Sequence, residues 1–184
     1  MNKSKNIKVK FVESFLKLLK DSPVDKITVK DIVSNSDFSR QTFYRYFSDI
    51  DDLIYYIHIS NVSIGHEYMK KFGFSLNALK MYLDLMLLNE SFYRQIITLD
   101  QSNSFTRWYI KKTKENIVKY FFNYNYETII NNKELLFSLN FFTYGFAYTI
   151  LEWIKNDSTI PTKYLAKALV NNMPQNLKEL MDMK

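Results

Sequence analysis

The stretch Thr28-Val29-Lys30-Asp31-Ile32-Val33-Ser34-Asn35-Ser36-Asp37-Phe38-Ser39-Arg40-Gln41-Thr42-Phe43-Tyr44-Arg45-Tyr46-Phe47 holds two helix starts eleven residues apart. Thr28, with Asp31 three residues on, has the pattern of a capping box, and Ser39 is a second good N-cap. The polar cluster Ser34-Asn35-Ser36-Asp37 separates the two helices. Phe43 and Phe47 are four apart and can both face a core, which leaves Arg40, Gln41 and Tyr44 on another face. Two short helices joined by a tight turn make a helix-turn-helix. The second helix of such a pair fits the major groove, where base edges present a readable pattern, while the first braces it across the backbone. A capped helix start with free amides, as at Ser39, suits approach to a phosphate.

Outward from this stretch the chain reads as helices. Ile7, Phe11, Phe15, Leu18 and Leu19 recur at helical spacing over 5–20, and Asp21-Ser22-Pro23 ends that helix. Ser48, with Asp51 three residues on, is expected to open a fourth helix running to about Phe72, before Gly73. Further helices are expected near 76–88, 90–99, 104–122, 132–156 and 162–172, with a last turn or two after Pro174. Asn156-Asp157-Ser158-Thr159-Ile160-Pro161 is a clear break, and Tyr120–Asn132, where Asn alternates with aromatics, has no clear assignment.

Composition agrees with an all-α fold. The 184 residues include only 3 Gly and 3 Pro, too few for the turns of a β fold, while 47% are hydrophobic, with 15 Phe and 14 Tyr. With no Cys, disulfides and thiolate metal sites are excluded, and a reducing cytoplasm is the expected location. The N-terminus shows no apolar run of signal-peptide length, and no membrane span is expected. The net charge is +6, and residues 1–50 hold ten Lys or Arg against six Asp or Glu, an asymmetry that suits a polyanion.

Catalysis finds no motif. His58 and His66 stand two helical turns apart, too far for one metal ion. His66-Glu67 begins a His-Glu-x-x-His pattern, but Lys70 takes the second His position. There is no Gly-rich phosphate loop and no nucleophile elbow. No enzyme activity, cofactor or metal is expected.

The residues of 28–33 and 38–47, followed by Asp51-Asp52-Leu53, resemble the signature of the tetracycline-repressor family of transcription regulators over roughly residues 7–55. The resemblance implies a three-helix helix-turn-helix DNA-binding domain over 1–50. A helical regulatory and dimerisation domain over 51–184 then follows. It implies that Thr28, Thr42, Tyr44 and Tyr46 touch backbone phosphates, and that Lys30, Arg40 and Gln41 face base edges. Arg suits guanine, Gln suits adenine and hydroxyls suit phosphate oxygens. The alternative for Thr28 and Ser39 is a plain helix cap, and for Tyr46 a place in the core. Two positions depart from the family pattern. Asp37 stands where Gly is usual, and Ile50 stands where a phosphate-pairing Lys is usual. The arm with Lys3, Lys5, Lys8 and Lys10 either compensates or, as expected, is a partly disordered tail.

In this family the C-terminal helices hold a ligand cavity and a dimer interface. The aromatic-rich middle helices offer Tyr82, Met86, Tyr93, Phe105, Trp108, Tyr109 and Tyr148 as pocket walls, or else as core. Leu139, Phe142, Phe146, Ile150 and Trp153 step down one helix as a candidate dimer face, or else as an intrachain core stripe, with Gly145 allowing close approach. The segment Phe141-Phe142-Thr143-Tyr144-Gly145, with Glu152-Trp153-Ile154 and Ile160-Pro161, also resembles a subgroup that includes regulators of dihydroxyacetone-kinase expression. The expected function is a ligand-responsive repressor that binds a palindromic double-stranded operator as a homodimer, with a small-molecule or protein effector. The alternative is a co-regulator or small-molecule-binding protein of the same fold that has lost specific DNA binding.

Overall fold

The computed structural model describes residues 3–98, 104–121, 126–156 and 158–182, and no strand occurs among them. The helices are α1 (Lys3–Asp21), α2 (Val29–Ser34), α3 (Arg40–Tyr46), α4 (Ile50–Phe72), α5 (Leu76–Leu87) and α6 (Glu90–Thr98). They continue with α7 (Ser104–Phe121), α8 (Tyr126–Asn131), α9 (Lys133–Lys155), α10 (Thr162–Asn171) and α11 (Gln175–Asp182). A 3-10 turn, Val24–Lys26, follows the break at Pro23. By packing, the chain forms two compact units, one within Met1–Asn61 and Ser91–Phe105, the other within Val62–Glu90 and Thr106–Lys184. The first unit therefore holds α6 and the early turns of α4 in addition to residues 1–50.

Three differences from the sequence reading have physical causes. The Lys-rich arm, expected as a partly disordered tail, supplies the first turns of α1, which is helical from Lys3. The unassigned stretch contains the short helix α8, which packs beside α9. Its six residues are too few to show a helical period. The start of α4 is set by Asp49 rather than Ser48: the Asp52 amide donates to Asp49 Oδ1 at 2.8 Å, and the Ser48 amide donates to Asp52 Oδ2 at 3.0 Å. The carboxylates do this better than a serine because they also carry the charge that complements the positive helix end.

The first unit is built on aromatic rings. Phe11 and Phe15, four apart on α1, are fully buried. Phe11 meets Phe38 at 5.5 Å, Phe43 at 5.3 Å and Phe47 at 6.3 Å between centroids, the last two edge-on. Between those two phenylalanines, buried Ser14 donates its hydroxyl to the Ile32 carbonyl at 2.7 Å, tying α2 to α1. On the other side of α1, Gln95 of α6 donates to the Leu19 carbonyl at 2.7 Å, satisfying an end-of-helix acceptor. His58 of α4 is buried and shares a 3.0 Å hydrogen bond with the Tyr93 phenol.

The second unit packs α10 along α5. Thr162 donates to Asp84 Oδ1 at 2.7 Å, and Lys80 pairs with the other oxygen at 2.6 Å. Gly65 lets α4 lie close to α5, for a Cβ there would stand 3.1 Å from the Tyr82 Cα. Gly73 ends α4 in the left-handed region, at φ 70°. Asn132 caps α9 by accepting from the Glu134 and Leu135 amides, and Asn176 of α11 donates to Ser138 of α9 at 2.9 Å.

Because Phe11 meets Phe38, Phe43 and Phe47, its truncation should be felt in stability and in the support of α3. Phe11→Ala is expected to cost about 3–5 kcal/mol in urea unfolding. Unchanged unfolding would remove Phe11 from the core.

Candidate nucleic-acid interface

α2 and α3 carry the candidate surface. At the start of α2 the capping box is complete: the Thr28 amide donates to Asp31 Oδ2 at 2.9 Å, and the Asp31 amide donates to Thr28 Oγ1 at 3.3 Å. The Thr28 hydroxyl also donates to Asp31 Oδ2, at 2.5 Å. These bonds from Thr28 hold the Asp31 carboxyl below the usual carboxylate range. Ser39 caps α3, accepting from the Thr42 amide at 3.1 Å, and its hydroxyl lies 3.0 Å from that of Thr42. Between the helices Asp37 sits at φ 60°. Asp is among the few residues other than Gly that enter this region with little cost, so the turn survives without a glycine.

The two faces of α3 separate cleanly. Phe43 is 0% and Phe47 2% exposed, whereas Tyr44 is 57% exposed and Arg40 and Gln41 are exposed beside it. Lys30 and Thr28 of α2 are exposed, while Thr42 and Tyr46 are half-buried. Of the eight candidate residues, six are thus exposed on two consecutive helices and their caps, and Thr42 and Tyr46 are half-buried on α3. Tyr44 stacks edge-on against Phe43 at 5.6 Å, which steadies the ring while leaving the phenol outward.

A model of the bacterial regulatory proteins of the tetR family matches residues 14–57, the span of α1 to early α4. A second model, for the C-terminal region of transcriptional regulators of this type, matches residues 75–175, more than half of the chain. The chain belongs to the tetR family. It is a DNA-binding transcriptional regulator. Among solved structures, the dihydroxyacetone kinase operon activator DhaS matches 96% of this chain over 97% of its own, with a TM-score of 0.63 and 19% identity. That likeness is one of fold. No curated protein sequence matches the chain at a significant level. The family is one of regulators rather than enzymes, and among the described residues no cluster of His, Asp or Glu is placed to hold a metal ion.

In this tetR-family chain the seven candidate pocket residues divide. Tyr82, Met86 and Tyr109 come together in the second unit: the two phenols lie 3.1 Å apart, and that of Tyr109 is 3.9 Å from the Met86 sulfur. Burial pushes the Tyr109 phenol up, so it stays protonated as a donor. Tyr93 and Phe105 lie instead in the first unit, around His58. Trp108 is half-buried. Tyr148 is on the outer face of α9, beside an open groove of about 430 Å³ lined also by Glu152, Asn156 and Ile160.

Two further residues join the Tyr82 group. His66 packs on the Tyr82 ring at 5.4 Å, and Asn116 lies 3.4 Å from His66 Nε2. In the sequence, His66 belongs only to an incomplete His-Glu-x-x-His pattern. No local signal joins residues from α4, α5 and α7.

The candidate dimer residues do not face outward. Leu139, Phe142, Phe146, Ile150 and Trp153 are all buried within the chain, so the intrachain-core alternative describes them. The reason is the phase of α9: its outer stripe is Phe137, Phe141, Tyr144 and Tyr148, which are 69%, 71%, 55% and 49% exposed. Gly145 lies on the exposed side, with open space where a Cβ would be.

His66 generates a pH prediction. Burial, reinforced by the charge of Lys112, lowers its pKa from 6.5 to about 4. The folded state keeps the imidazole neutral while the unfolded chain protonates it from pH 6.5 downward. This contribution is therefore present above about pH 6.5 and is lost as the pH falls towards 4. Its full size is roughly 3 kcal/mol. His66→Gln is expected to flatten the fall of unfolding free energy over that window, as read by urea melts at successive pH values. Parallel curves for the two proteins would contradict it.

Proposed function

We propose that this regulator binds a palindromic operator as a homodimer in the cytoplasm and changes its hold on DNA when an effector enters the second unit. The observation that carries the reading is the separation of α3 into a buried ring face and an exposed face bearing Arg40, Gln41 and Tyr44. Arg40, Gln41 and Lys30 read base edges. Thr42, Tyr44, Tyr46 and the capped start at Ser39 hold phosphates. Donor chemistry ranks the hydroxyls. A phosphate needs a donated proton, and that of Thr28 is directed to Asp31. Tyr44 has no hydrogen bond among the described residues and is the best placed to donate. Thr28 serves chiefly as the cap of α2.

The dimer surface is the outer stripe of α9 with Tyr164 of α10, which is 69% exposed. Large apolar side chains contiguous on a surface mark an interaction site. An exposed helical glycine, costly without a neighbour, gains its purpose when a second helix packs over Gly145. A two-fold pair would set two recognition helices about 34–36 Å apart, one turn of DNA. The effector site is the interior around Tyr82, Met86 and Tyr109, joined by His66 and Asn116. These groups are uncharged donors and acceptors on an apolar lining, which suits a small polar, uncharged molecule. Repression by occupying the operator is the proposed outcome. The solved neighbour is named an activator, so a reporter assay should read both directions.

Selection of bound sequences from a random duplex pool tests the whole reading. A dyad motif supports it, and no enrichment even in dilute salt would favour the co-regulator alternative. On the selected site, Arg40→Ala is expected to cost about 1–3 kcal/mol and relax preference at one base pair, while Tyr44→Ala weakens all sequences alike. Loss at a single base pair in Tyr44→Ala would contradict its phosphate role. For the dimer, Phe141→Glu is expected to halve the mass measured by light scattering without unfolding the chain. A wild-type protein that is already monomeric at micromolar concentration would overturn the interface.

A further inference from the structure

From Tyr46 to Met69 the chain has no Lys or Arg, yet Asp49, Asp51 and Asp52 stand together at the start of α4. Asp49 and Asp52 use their oxygens on backbone amides. Their charge remains, and at about 8–10 Å in physiological salt it is felt by a phosphate. The segment that follows the recognition helix would therefore repel a duplex unless a cation is brought to it from elsewhere.

α1 brings one. The Lys8 ammonium lies 4.6 Å from the centre of the Tyr56 ring and 5.3 Å from that of Phe47. Those two rings meet edge-on, 5.5 Å apart. Phe47 is the C-cap of α3, directly after Tyr46. A cation over aromatic faces is held in position without losing its charge. Lys8 makes no ion pair with a carboxylate among the described residues, whereas Lys10, one half-turn on, is paired with Glu13 at 3.1 Å.

We propose that Lys8, mounted on Phe47 at the end of α3 and on Tyr56 in the second turn of α4, is a phosphate-binding residue of the DNA interface. It offsets the Asp49, Asp51 and Asp52 charges. The proposal rests on DNA binding itself and not on the effector or dimer readings. The aromatic mount makes the contact a fixed one, so Lys8 acts on every sequence equally.

The test uses a labelled duplex of random sequence and fluorescence anisotropy over about 50–200 mM salt. Lys8→Met, which keeps the apolar stem on the rings, is expected to weaken binding at each salt concentration. Its log–log salt slope should be shallower by about 0.9. Lys8→Arg should keep the wild-type slope, and adding Ile50→Lys to Lys8→Met should restore it. An unchanged slope in a folded Lys8→Met protein would overturn the proposal and leave DNA binding standing. Wild-type silence towards the duplex would remove both. Should the neutral variant fail to fold, acylation of Lys8 in the wild-type protein, read by peptide mass spectrometry, decides: protection by added duplex supports the contact, and equal labelling overturns it.

Discussion

The edge-on contact of Phe11 with Phe43 and Phe47 governs what α3 can do. A helix of seven residues has no stability of its own in water, since so few turns do not repay nucleation. Its orientation must come from the rings it buries. Turning α3 about its axis would bring Phe43 out of the core, at a cost of about 1.5–3 kcal/mol for that side chain alone. The outward direction of Arg40, Gln41 and Tyr44 is therefore the complement of that burial. The hydrogen bond from Ser14 to the Ile32 carbonyl does for α2 what the rings do for α3.

Electrostatics follows from how the helix starts are built. Asp31, Asp49 and Asp52 each accept from backbone amides at the beginning of a helix. Such carboxylates stabilise the elements that carry the reading surface, but they place negative charge beside a surface meant for phosphates. The excess of Lys and Arg in the first fifty residues has to outweigh them, and where it comes from in space matters more than the total. α1 contributes by its side chains as well as by its rings.

The second unit shows a different economy. Tyr82 and Tyr109 put phenols inside a largely apolar bundle, with the half-buried His66 and Asn116 beside them. Burying such groups is costly unless they find partners, so they pair with one another and remain neutral. The depressed imidazole and the raised phenol express that same constraint, each resisting the charged form. The result is a cluster of neutral groups with directional hydrogen bonding.

The helix-turn-helix and most helix limits were legible along the chain because their signals are local. Ser39 and Thr28 cap helices a few residues away, Phe43 and Phe47 share a face by spacing alone, and Pro23 and Gly73 break the backbone wherever they stand. The short α8 escaped because six residues hold less than two turns of period. The sequence left open whether the Leu139-to-Trp153 stripe of α9 packs within the chain or against a second copy. Aromatics surround this helix, with Phe142 and Phe146 on one side and Phe137, Phe141 and Tyr148 on the other, and each side gains by burial. That choice is made only when the other helices of its own unit close over one face, because the hydrophobic effect has no direction until a partner surface supplies one. The meeting of His66, Tyr82 and Asn116 is likewise a product of packing between distant helices.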